Sequence, residues 1–181
     1  TVDIDLPASA FAPRAVASVA GCGVCGRDDI DDLTALAVVV TAAPRDAVTL
    51  AGLTTWPHTL RAHQPLFDAT GGVHAAALVR LGDGALVLAR EDVGRHNAVD
   101  KVVGAALAAG VEFAACGLML SGRLGFELAQ KAVLAGVPVV ASVSAPSSLA
   151  LTIAERFGVT AIGFLRDGRA TVYTHPARVR G

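Results

Sequence analysis

From residue 73 to residue 174 the chain alternates short apolar runs with stretches of helical periodicity, and Gly or Pro marks most of the changes. The apolar runs at 73–80 and 85–91 flank Gly82-Asp83-Gly84, the pattern of a β-hairpin. Val99, Val102, Val103, Ala106 and Leu107 then recur at helical spacing as far as Gly110. The same reading predicts a strand at 113–120, a helix over 126–135 ending at Gly136, and a strand at 137–143. A helix over 148–157 and a strand at 159–165 complete the cycle, and a second hairpin turns through Arg166–Arg169 into a strand at 170–174. Strands that alternate with helices of about ten residues are joined by right-handed crossovers. The expected fold is therefore α/β: a three-layer α/β/α sandwich with a mixed, mostly parallel sheet and β-hairpins.

The first seventy residues are less regular. Residues 1–70 read as an N-terminal segment with short helices and a Cys-x-x-Cys loop, and 71–181 as the α/β core, together one domain. Acidic residues at 28–32 precede a short helix over Leu33–Val40, where the helix dipole favours them. Residues 44–52 read as loop. Thr55 is the expected cap of a helix with Trp56 and Pro57 in its first turn and Leu60 and Phe67 turned inward, and Pro65 shortens or kinks it. The chain begins at Thr1 without an initiator Met, which reads as a trimmed form.

Composition removes several classes of function. Hydrophobic residues make up 53% and charged residues 17%, too apolar for a disordered chain. A net charge of −1 gives no global attraction to nucleic acid, and 4% aromatics leave few platforms for stacked bases. No run of 18 apolar residues escapes a charge, Gly or Pro, so no membrane span is expected. Three cysteines, an odd number, do not form a disulfide framework, and a cytoplasmic, reducing location is expected.

In a sheet of this kind ligands bind beyond the carboxyl ends of the strands. The loops expected there are Glu91–Asn97, Ser121–Arg123 and Ser144–Ser148. Arg95, His96, Asn97, Ser121, Arg123, Ser144 and Ser147 supply hydroxyls, guanidinium groups and helix N–H groups suited to an anion, and Asp92 is counted with them as a cofactor contact. Asn97, Ser147 and Ser148 are, taken singly, ordinary helix caps. No Gly-Lys-Ser/Thr run is present, so a nucleotide would be held there and not hydrolysed by P-loop chemistry. His74 opens a strand and reads as packed, His58 and His63 as surface positions, and His175 as a rim residue or the end of a strand.

Cys22 and Cys25, flanked by Gly21 and Gly26, stand out more sharply. Metal half-site, redox pair and persulfide carrier all fit two spaced thiols, and the residues alone leave the three open. Cys116, inside an apolar run, reads as a small core residue. A zinc deaminase would need His-x-Glu ahead of Pro-Cys-x-x-Cys, and the Cys pair here precedes the core without one.

Six blocks taken together resemble the formate dehydrogenase accessory sulfurtransferase family. They are Cys22–Gly26, Gly71–Ala76, Glu91–Lys101, Ser121–Arg123, Ala141–Leu149 and Gly163–His175, in order along the chain. The resemblance implies a cytidine-deaminase-like sandwich and a sulfur carrier. Such a carrier takes persulfide sulfur from a cysteine desulfurase and passes it to the molybdenum cofactor, bis-molybdopterin guanine dinucleotide, to activate formate dehydrogenase. It implies a homodimer, and no structural metal is expected. Cys22 would bear the persulfide, with Cys25 its partner. The cofactor-binding segment would be Phe164, Leu165, Arg166, Asp167, Gly168 and Arg169, with Phe164 stacking a guanine or pterin face and the arginines meeting phosphates. His74 and the rim residues above would surround the cofactor, or GDP as its surrogate. A non-enzymatic cofactor chaperone is the alternative that keeps the rim and leaves the cysteines passive.

Overall fold

The computed structural model describes residues 47–181. A short strand β1 (Val48–Thr49) runs straight into helix α1 (Leu50–Arg61), and a second short helix α2 (Pro65–Thr70) follows. The hairpin β2 (His74–Arg80) and β3 (Leu86–Asp92) leads to α3 (Arg95–Ala108). Then come β4 (Cys116–Leu120), α4 (Phe126–Ala135), β5 (Val139–Ser142), α5 (Ser148–Arg156) and the hairpin β6 (Thr160–Arg166) and β7 (Arg169–Val172). A last strand, β8 (Val179–Arg180), pairs in parallel with β1, Val48 opposite Val179.

The main sheet has the order β3-β2-β4-β5-β6-β7. β4, β5 and β6 are parallel, and β2 runs antiparallel to both β3 and β4, as β7 does to β6. Strands β3, β4, β5 and β6 thus point one way, with β2 and β7 opposed. The mixed sheet and both hairpins agree with the sequence reading. The parallel pairing itself is confined to the three strands joined through α4 and α5.

Alternate residues of each strand feed two cores. Ala76, Leu78, Leu118, Leu120 and Val140 pack beneath α3, α4 and α5, against Val99, Val102, Leu128, Val133 and Ile153. Ala75, Ala77, Val79, Met119, Val139, Ala141 and Ile162 face the other way, onto Leu53, Trp56 and Leu60 of α1. Three helices on one face and one on the other make the expected sandwich. Trp56 is fully buried and lies directly over Gly117; a Cβ there would fall 2.2 Å from Trp56 Cη2. Only a glycine lets the indole approach the sheet so closely.

The structure revises three local expectations. Helix α1 begins at Leu50, not Thr55, because Thr49 ends the β1 pairing and its Oγ1 accepts from Gly52 N at 3.0 Å. The hydroxyl of Thr55 instead donates to the Gly52 carbonyl, and Pro57 lies inside the helix. Phe67 does not turn inward: α2 is a separate short helix with no buried residue, begun by Pro65. Residues 113–115 form a 3-10 turn before β4, so the strand starts at Cys116.

Candidate functional site

The strand directions place the carboxyl ends of β3, β4, β5 and β6 and the amino end of β2 along one edge of the sheet. That edge carries the loops singled out in the sequence. Two of them are fastened together: Leu124 and Pro146 form a parallel bridge, Leu124 N donates to the Ala145 carbonyl, and Ser147 N donates to the Leu124 carbonyl. The helices α3, α4 and α5 all begin here, after Gly94, Gly125 and Ser147.

Several predicted contacts build the edge instead of facing a ligand. Asp92 accepts from Gly94 N at 2.9 Å and Asn97 Nδ2 at 3.1 Å, and pairs with Lys101 Nζ at 2.6 Å. The Lys101 ammonium, with the Gly94 N–H and Asn97 amide, pulls its carboxyl down to about 2. Ser121 Oγ accepts from Ala75 N at 2.8 Å, tying the β4 loop to β2. Ser147 caps α5 through Ala150 N, as an ordinary cap does. Ser144 gives its carbonyl to Ser142 Oγ and to Phe164 N.

Phe164 adopts a left-handed backbone, φ 51°, and the β6–β7 register shifts between Gly163 and Arg166. Such strain in a non-glycine residue marks a position fixed by its surroundings. It breaks the strand alternation. Ile162 and Leu165 therefore share one core while the Phe164 ring is exposed. Leu165 is thus a core residue, not a surface contact. Gly163 is enclosed, for a Cβ there would meet Pro146 Cδ at 2.7 Å and Tyr173 Cε2 at 3.0 Å.

Two concavities meet at Arg166 and Asp167. The larger, about 560 Å³, opens between α1, α2 and the edge, with His74, Ser121, Val143 and Gly72 on its sheet side. The smaller, about 400 Å³, is bounded by Phe164, Arg166, Asp167, Arg169 and Thr171. Among the described residues Arg123, Arg166 and Arg169 pair with no carboxylate. Next to the first cavity, His74 lies over Gly122, where a Cβ would stand 3.2 Å from its Nδ1, and Arg95 approaches the same glycine. His96 is held 3.6 Å from Glu127 of α4, and burial together with the Arg95 charge lowers its pKa.

The sequence-predicted residues therefore share an edge but not a pocket. His74, Ser121, Arg166 and Asp167 line the large cavity, and Phe164 and Arg169 the small one. Asp92, Arg95, His96, Asn97, Arg123, Ser144 and Ser147 line neither. Gly168 forms the β6–β7 turn at φ 71°. His175 sits at the opposite edge, its carbonyl accepting from Thr160 Oγ1 at the start of β6. Cys22 and Cys25 lie outside the described residues. Cys116 is buried in β4, where burial raises its thiol pKa. Sequence reasoning misses the α1–α2 wall: His58, Arg61, Gln64 and Phe67. Its one visible signal is the Pro65 break beside a run of polar residues. Among the described residues no three His, Cys, Asp or Glu side chains gather as metal ligands.

Fold and edge together define an α/β/α protein with a nucleotide-sized, arginine-rimmed cleft beyond the carboxyl ends of its parallel strands. The chain belongs to the FdhD/NarQ family, whose description matches residues 4–180. It is 49% identical over 163 residues to "Sulfur carrier protein FdhD" of Mycolicibacterium paratuberculosis, covering 90% of this chain and 60% of that protein. The protein of the same name from Streptomyces coelicolor is 50% identical, over 92% of this chain and 59% of that one. A crystal structure described as a putative formate dehydrogenase accessory protein from Desulfotalea psychrophila superposes with a TM-score of 0.72 at 30% identity. It covers 82% of this chain and 61% of its own. The chain thus spans about three-fifths of the length of these relatives.

Proposed function

We propose that this chain acts as a sulfur carrier that takes persulfide sulfur from a cysteine desulfurase and delivers it to the molybdenum cofactor of formate dehydrogenase. The observation that carries the reading is identity of 49% and 50% to proteins named sulfur carriers, across nine-tenths of the chain. The edge supports it. A cavity of about 560 Å³ suits one nucleotide arm of a large substrate, and Arg166, Arg169 and the exposed Phe164 ring suit its phosphates and a flat heterocycle.

In the proposed cycle the Cys22 thiolate attacks the outer sulfur of the donor's persulfide. A new S–S bond forms, and the donor cysteine leaves as thiolate. Cys22 then holds S–SH. When a thiolate of the acceptor attacks that outer sulfur, a new S–S bond forms on the acceptor, the Cys22 S–S bond breaks, and Cys22 leaves as thiolate. In the reductive variant, Cys25 attacks the inner sulfur, hydrosulfide leaves, and a thiol reductant later opens the Cys22–Cys25 disulfide. Throughout, Arg166 and Arg169 hold the substrate's anionic groups and Phe164 its ring, while Asp92 and Lys101 keep the loop before α3 in shape. The working unit is a homodimer, as the resemblance implies, and the cysteine usage favours a reducing, cytoplasmic setting.

Intact mass after incubation with a cysteine desulfurase and cysteine tests the carrier step. One reductant-labile sulfur is expected on the full chain and none on Cys22→Ala. A Cys22→Ala chain that gains sulfur as the parent does would end the assignment. Cofactor binding without sulfur uptake would leave the edge as the site of a non-enzymatic cofactor chaperone, a role the cationic rim supports by itself.

A further inference from the structure

The benzo end of the Trp56 indole rests on Gly117, and its other end turns toward the β2–β3 hairpin, where a Cβ on Gly84 would lie 3.9 Å from Nε1. The side chain is fully buried, and its N–H has no hydrogen-bond partner among the described residues. A buried indole N–H ordinarily finds an acceptor, because leaving it without one is costly. Trp56 and Gly84 both line a separate cavity of about 210 Å³. It lies beside the β2–β3 turn, at the end of the sheet opposite the candidate edge. No residue lines both this cavity and the large one.

The other groups around this cavity favour a negative charge. Thr49 and Gly52 bring the N-terminal turn of α1, the positive end of the helix dipole. Thr49 Oγ1 accepts from Gly52 N at 3.0 Å, which leaves its own O–H proton to donate. Arg180 of β8 adds a guanidinium that pairs with no carboxylate among the described residues. The one acid in the lining, Asp83, is held by Arg80 Nη1 at 2.9 Å and by Ala85 N at 3.0 Å. Val48 and Leu81 give the lining an apolar part.

We propose that this cavity is a binding site for a small carboxylate, held between the Arg180 guanidinium, the Thr49 hydroxyl and the Trp56 indole N–H. A guanidinium is a planar fork that matches the two oxygens of a carboxylate. The apolar side chains suit a short carbon tail, and the volume limits the acid to a few carbons. A tetrahedral anion meets the charge but matches neither the fork nor the apolar part. The site is distinct from the candidate edge, and it stands whether or not the chain carries sulfur.

Nuclear magnetic resonance on the full chain reads the site directly, because Trp56 is the sole tryptophan and gives the only indole N–H peak. Titrated with propionate at constant ionic strength, that peak is expected to move downfield, as an N–H does on gaining an acceptor, and to saturate. Propionamide, the neutral isostere, should leave it in place, and sulfate should bind at least about tenfold more weakly than propionate. Arg180→Gln removes the charge and the fork from an exposed side chain, and should weaken propionate on the order of tenfold. Four outcomes would overturn the proposal. An indole peak that propionate does not move saturably means a cavity that holds water only. Equal response to propionamide means that the charge is not read, and equal affinity for sulfate means that the carboxylate is not. Unaltered propionate affinity in Arg180→Gln removes the guanidinium from the site. Should that variant not fold, Arg180→Lys, which keeps the charge without the fork, decides, and an affinity equal to the parent's overturns the assignment.

Discussion

Gly117 and Trp56 set the tightest constraint at the scale of single residues. Nothing in the local pattern of β4 asks for a glycine; the apolar run would accept Ala or Val by strand propensity. The requirement comes from the indole lying across it, which leaves 2.2 Å for a methyl group. Gly117→Ala is expected to destabilise the chain by about 1–3 kcal/mol, the usual range for overpacking a well-filled core. Because Trp56 is the sole tryptophan, its fluorescence reports the shift directly. A denaturation midpoint equal to the parent's, with an unmoved emission maximum, would contradict that packing. Phe164 belongs to the same scale: its left-handed backbone sends Leu165 inward and leaves the ring exposed, a reversal invisible to a period-two pattern.

Among the elements, the loop from β3 into α3 is the best-organised segment of the edge, and Asp92 organises it. Its folded pKa, about 2, lies below the ordinary 3.8, so the folded state prefers the carboxylate. The stabilisation is therefore whole above about pH 4 and is lost as the pH falls through 2. Asp92→Asn should show a shallower loss of stability across that window, measured by denaturant titration at fixed pH values. A variant with the parent's acid slope would mean that Lys101 and Gly94 do not hold the loop through this carboxylate. His96 works in the opposite pH region. Burial lowers its pKa, so its share of stability is whole above about 6.5 and declines as the pH falls below that value.

At the scale of the whole molecule, Arg95, Arg123, Arg166 and Arg169 lie along one edge of the sheet, in a chain whose net charge is −1. By sequence, Arg123 and Arg166 are equivalent phosphate contacts. The structure separates them: Arg166 lies where the two concavities meet, and Arg123 lines neither. Arg166→Ala should weaken GDP binding by about 1.5–3 kcal/mol, the loss of a charge-assisted contact, and Arg123→Ala by much less. Equal losses in the two variants would place the ligand across the helix N-termini instead of in the cavity.

Element types were legible because periodicity is local. The hairpin at Gly82-Asp83-Gly84, the helix beneath Val99, Val102 and Ala106, and the alternation that splits β2 between two cores each follow from residues a few positions apart. Even the shared edge was legible, since strands joined by right-handed crossovers must present their carboxyl ends together. What the tertiary structure alone decided is which side chains on that edge remain available. Ser121 and Asp92 are engaged by the backbone and by Lys101, and Leu165 is turned into the core. Gln64, Arg61 and Phe67, which no motif marks, form the opposite wall. That wall exists because Trp56 seats α1 over Gly117 and Glu91 holds the start of α2. Both contacts join residues far apart in the chain, and a local pattern carries no record of them.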